Sequence, residues 1–234
     1  MRKILALSYH DFKIIFRDKV LMVILFIPLL MGAILLWGVT PLMKELSIAQ
    51  EYYPLIVGLF SVVSAISPAY IISFIMLDEK DEGVLTVMRT MPLPPLHFIA
   101  YRILFVLVFG FLTALFILTV SALSLAIIKI FLIAVHISFI APIVAVAIIT
   151  YSKNKIEGLT FLKGINFLSI LPILSFFSGT IGKVLFSIIP TFWVFHAIMH
   201  FNSNAHLFLY LIVGTLICIM ILWFLISEFR KKVF

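Results

Sequence analysis

The sequence predicts an all-α integral membrane protein with six transmembrane helices. Three observations carry that prediction: the apolar content, a series of uncharged runs of span length, and basic residues gathered on one side. Hydrophobic residues make up 64% of the 234 and charged residues only 12%, against roughly 25% charged in a soluble domain. Mean hydropathy is +1.28, so lipid rather than water is the solvent for most of the chain.

Residues 1–19 are basic and amphipathic. Ile4, Leu5, Phe12, Ile15 and Phe16 fall near one helical face, with Lys3, His10, Lys13 and Arg17 largely on another. Such a helix lies in the membrane interface; the alternative is a plain extension of the first span. The pattern is not that of a cleaved signal, which has a short basic region and then an apolar core of roughly 7–15 residues. The spans expected are 20–39 (with Pro28), 54–77 (with Pro68), 103–128, 130–150, 164–182 and 207–226. Each approaches the roughly 20 residues that cross a ~30 Å core. Lys129 marks the gap between the third and fourth. Residues 183–206 are apolar but interrupted by Pro190, and Trp193, His196 and His200 suit an interface. They read as a re-entrant or interfacial segment before the last span. The whole of 1–234 is a single transmembrane domain with no soluble domain attached.

Charge sets the orientation. With six spans and the N-terminus inside, fourteen of the seventeen basic residues fall on inner segments; only Lys44, Lys129 and Lys183 fall outside. This is the positive-inside pattern, so both termini are expected in the cytoplasm. It also accounts for the net charge of +7 without nucleic acid.

The segment 78–97 stands apart. Met76–Pro95 holds six charged residues between two apolar runs. Asp78, Glu79, Asp81 and Glu82 suit the positive start of a short helix. Val84, Leu85, Val87, Met88 and Met91 form an apolar stripe, and Pro92, Pro94 and Pro95 end it. A stripe outside the bilayer must lie on something. The membrane surface, the protein's own spans and a partner's groove all satisfy the periodicity.

Other chemistry is thin. Gly179–Val184, GTIGKV, lacks the spacing and hydroxyl of a phosphate loop. The acidic residues lie outside the expected span cores, which weakens an ion-coupled carrier. His136 is the one ionisable candidate at depth. His196, His200 and His206 cluster before the last span; without a nearby acid they read as interfacial packing rather than a metal site. Serines such as Ser64, Ser67, Ser121 and Ser138 have no base beside them, so no hydrolase site emerges. The single Cys218 forms no internal disulfide. The chain is therefore not expected to be an enzyme, and no cofactor or metal is expected in it.

The run DEKDEGVLTVMRTMPLP resembles the segment after the second span of type-2 ATP-binding-cassette permeases. Glu82, Gly83 and Leu85 read Glu-Gly-x-Leu, one residue shorter than the family's Glu-x-Gly-x-Leu, and Thr90, Pro92 and Leu93 follow. Met91 separates Thr90 from Pro92, where the family commonly has them adjacent. The order of elements is similar along the whole chain: elbow helix, six spans, and a proline–aromatic stretch IIPTFWVFHAI as in drug-export-type members. The resemblance implies that 78–97 is a coupling helix. Glu82, Gly83, Val84, Leu85, Val87, Met88 and Arg89 would then dock on a separate nucleotide-binding subunit, which holds ATP and magnesium. The loop SKNKIEGL between spans four and five would be a second, weaker contact. A second permease chain, identical or related, would complete the exporter in a bacterial or archaeal plasma membrane. The cargo suggested is a small apolar or amphipathic compound, and its contact residues are not assigned. A secondary transporter or channel working without ATP, and a non-transport membrane scaffold, are the alternatives.

Overall fold

The computed structural model describes residues 11–83 and 95–233. Among these the secondary structure is helical throughout, and six helices are long and apolar enough to cross a membrane. Helix α1 covers 11–17. Asp18 leaves the helical conformation (φ −92°, ψ 115°), and its carboxylate accepts from the amides of Val20 and Leu21. It thereby caps α2 (Lys19–Ala33). A π-helical turn (Ile34–Val39) joins α2 to α3 (Thr40–Glu45), completing the first span. After a 3₁₀ turn, α4 (Tyr53–Asp81) is the second span, and α5 (Pro95–Val120) contains the third.

The fourth span is α6 (Ile127–Ser138) and α7 (Ile140–Tyr151), broken at Phe139. Pro142 explains the break: it has no N–H for the carbonyl of Ser138, and its ring crowds that position. The fifth span is α8 (Lys155–Ile170) with a 3₁₀ extension to Phe176. Two short helices follow, α9 (Thr180–Phe186) and α10 (Pro190–Met199). They occupy the stretch expected to be re-entrant. The last span lies in α11 (Asn204–Val233).

Two boundaries differ from the expectation. The third and fourth spans part at residues 121–126, not at Lys129. Hydropathy is blind to this turn, because Ser121–Ala126 contains no charge. Lys129 instead sits in the first turn of α6, where its ammonium donates to the Phe201 carbonyl at 2.8 Å. The fifth span starts at Lys155 rather than Gly164, because Asn154 caps α8 there. Its side chain accepts from the Glu157 amide at 2.9 Å, and Glu157 accepts from the Lys153 amide at 2.8 Å. Lys163, counted above as a loop residue, therefore lies within the span.

The layers are set by burial. The second and fourth spans are each 78% buried, whereas the first, third, fifth and sixth lie between 17% and 28%. The second and fourth are thus a central pair with the others around it. Lipid offers no hydrophobic drive for helix association, so close approach through small residues must hold the pair. Gly110 of α5 seats the third span against both members of that pair. A Cβ there would lie 3.1 Å from both the Ala141 Cβ of α7 and the Ala65 carbonyl of α4.

Candidate functional site

The charged run after the second span is the place to build from. It does not start a new helix. Asp78, Glu79, Lys80 and Asp81 are the last turn of α4, and Glu82 is its C-cap. The amide of Glu82 donates to the Asp78 carbonyl at 2.9 Å, and that of Gly83 to the Lys80 carbonyl at 3.2 Å. Gly83 is left-handed (φ +74°), with open space around a notional Cβ. Glycine is therefore required here by the backbone and not by packing. The expectation that the acids favour a helix start is thus corrected: they sit at the negative end of α4, where the dipole opposes them. The compensation comes from cations on other elements.

Arg102, in the second turn of the third span's helix, supplies most of it. Its side chain is only 2% exposed. It grips Glu79 through two 2.6 Å hydrogen bonds. It also donates to both Asp11 oxygens, at 3.1 and 3.3 Å, and to the Tyr101 hydroxyl at 2.8 Å. Tyr101 in turn donates to Asp11 at 2.9 Å. A buried arginine is tolerable only when its planar fork is filled this way. The result joins α1, the end of α4 and the start of α5 at one point. Glu79 and Arg102, which flank residues 84–94 in the sequence, are thereby held together like a clasp.

The neighbours of Glu79 extend the network. Lys80 reaches over to α7 and donates to the carbonyls of Ser152 (2.7 Å) and Ile149 (3.4 Å). This places a cation on the negative end of α7. Asp78 pairs with Lys155 at 2.8 Å, and Lys155 also approaches Asp18 at 3.8 Å. The Asp81 carboxylate accepts from the Lys155 amide at 3.4 Å. Four consecutive residues of α4 thereby fasten α1, α5, α7 and α8.

Of the coupling residues expected from the sequence, Glu82 and Gly83 lie at this α4 terminus. Val84, Leu85, Val87, Met88 and Arg89 lie outside the described residues. The SKNKIEGL loop sits against the same terminus through Ser152 and Lys155. Sequence reading missed Asp11, Glu79, Tyr101 and Arg102 as one unit. The available signal was Arg102 itself, a lone cation just inside an apolar run that demands a carboxylate.

The histidines are absorbed into packing. His196 bonds Ser175 at 3.0 Å and lies against the rings of Phe192 and Phe176, 4.1 and 4.3 Å between centroids. The Nδ1 of His200 donates to the His196 carbonyl at 2.9 Å, and His206 bonds Ser203. His136 bonds Thr215 at 3.0 Å. Among the described residues no group of three His, Cys, Asp or Glu could hold a metal.

Four spans around a buried central pair, with an ionic clasp where the second and third spans meet, make a multi-pass membrane protein of the permease class, as its relatives bear out. The family described as "Fluoroquinolones export permease protein Rv2686c-like" matches residues 11–226, and the chain belongs to it. It is similar to two curated relatives from Mycobacterium tuberculosis. These are "Fluoroquinolones export permease protein MT2760" of strain CDC 1551 / Oshkosh and "Fluoroquinolones export permease protein Rv2686c" of strain ATCC 25618 / H37Rv. Each is 28% identical over 247 residues, covering 99% of this chain and 95% of the relative. No solved structure matches.

Proposed function

We propose that this chain is the transmembrane subunit of an ATP-driven exporter. It would move a small amphipathic compound outward while a separate nucleotide-binding subunit binds and hydrolyses ATP. The relatives are named for fluoroquinolones, which makes compounds of that class the first cargo to test. Two permease chains pair with two ATPase subunits in a bacterial or archaeal plasma membrane. The clasp and both termini face the cytoplasm. Glu82, Gly83, Val84, Leu85, Val87, Met88 and Arg89 form the contact with the ATPase.

The observation that carries this reading is the clasp. Arg102 ties Glu79 and Asp11 together, joining the two helix ends that flank residues 84–94 in the sequence, so a pull on those ends would reach the helices that the clasp and its neighbours fasten. Coupling of this kind needs a two-state element that both sites bias, and a pinned segment is a handle for one. The test is to co-express the chain with the ATPase encoded beside it and to compare wild type with Leu85→Asp/Met88→Asp. Loss of ATPase co-purification, with the permease still folded, is the expected result. Unchanged co-purification and unchanged drug-stimulated ATP hydrolysis would remove 78–97 as the contact.

A further inference from the structure

A groove runs between α7 and α8, starting beside the clasp. Its wider part, a cavity of about 490 Å³, is lined by Tyr151, Glu157, Thr160, Phe161, Gly164 and Leu168 among others. Pockets for small ligands span roughly 300–1,000 Å³, with apolar walls and few polar groups. A second cavity of about 220 Å³ shares Ile165 and Leu168 with it and continues to Ser169 and Thr191.

Three features say what the wider part would hold. Tyr151 and Phe161 stack, 6.0 Å between centroids and 29° between planes; the Tyr151 ring also carries the Lys232 ammonium, 4.2 Å from its centroid, so Phe161 is the ring left for a flat compound to lie on. Glu157 supplies the carboxylate. Its Oε2 accepts from the Lys153 amide at 2.8 Å, and among the described residues Oε1 has no hydrogen-bond partner. Lys80, whose charge interacts with Glu157, is itself held by the carbonyls of Ile149 and Ser152. Gly164 leaves the floor open, since a Cβ there would meet nothing within 4 Å. We infer that this groove is the intake site for a planar aromatic compound bearing a basic amine, its ring against Phe161 and its ammonium at Glu157. The narrower cavity is its onward lane. This rests on the exporter reading, which also puts the groove's mouth at the inner leaflet.

The test uses the full chain in lipid nanodiscs and two fluorescent probes, norfloxacin and N-acetylnorfloxacin, whose acylated nitrogen is no longer basic. Binding is read by anisotropy, and export is followed in cells carrying the chain and its ATPase. Glu157→Gln, which keeps the cap to Lys153, should weaken norfloxacin about tenfold and leave the acetylated probe unchanged, as expected for loss of a charged partner. Gly164→Leu should abolish binding of both. Unchanged norfloxacin binding in both variants, with wild-type export intact, would overturn the intake site and spare the exporter. If Gly164→Leu instead lowered the dimer fraction while norfloxacin still bound, the groove would belong to a second copy. If norfloxacin failed to compete with a spin-labelled lipid at Gly164→Cys, it would belong to lipid. Either result overturns the proposal. A wild type that neither binds nor exports norfloxacin overturns the cargo of the underlying reading as well.

Discussion

The two ends of the last span's helix are built from different chemistry. Near its C-terminus lies the end tied by charge: Arg102, Lys80 and Lys155 each bridge separate elements through short, directional bonds. Near its N-terminus lies the end packed by rings. There His196 and His200 lie beside Tyr210, 5.3 and 5.4 Å between centroids, with Phe176 and Phe192 behind. Ionic contacts fix both distance and angle, whereas stacked rings have a shallow optimum and slide. The difference teaches where each end is tolerant: the charged end admits little change of distance or angle, whereas the ring-packed end admits sliding.

The largest break in that comparison comes from Arg102→Met. It strands the buried Asp11 carboxylate and the part-buried Glu79 and should cost about 3 kcal/mol, seen as a large fall in Tm of the detergent-solubilised protein. Adding Asp11→Asn and Glu79→Gln should recover most of the loss while leaving export impaired, separating the clasp's role in stability from its role in transmission. Next comes the ring-packed side. Gly214→Ala would place a Cβ 2.5 Å from the Trp193 Cβ and 2.6 Å from the His136 ring. Overpacking of this kind costs about 1–3 kcal/mol, again read as a Tm shift. The smallest effect belongs to Lys231→Ala. Lys231 pairs with Glu228 at 2.8 Å but is itself 69% exposed, so Tm should not move. A fall as large as that of Arg102→Met would mean that exposure does not separate the two classes of pair.

Much of the fold was legible because hydropathy and length decide spans almost alone. The limits are equally physical. The turn at 121–126 carries no charge, so only Lys129 stood out, and it proved to be a helix residue. The acidic run suited a helix start by its sign, yet it ends α4, because a 29-residue helix continues past the bilayer and recruits cations afterwards. Asp11 and Arg102 are 91 positions apart, and nothing local connects them. Gly83 was marked by the motif it belongs to, but its left-handed backbone explains why a glycine stands there.

The serines of α4 have a consequence for how the chain enters its membrane. Ser61, Ser67 and Ser73 each donate to a carbonyl of their own helix, those of Val57, Ser64 and Ala69. Those hydroxyls need no other span to satisfy them. Three of the four α4 serines are thus satisfied before any other span arrives, the buried Ser64 hydroxyl being the exception, although the span ends as one of the two most enclosed helices. Biogenesis can follow the order of synthesis, with the fourth span arriving later to a partner already in place.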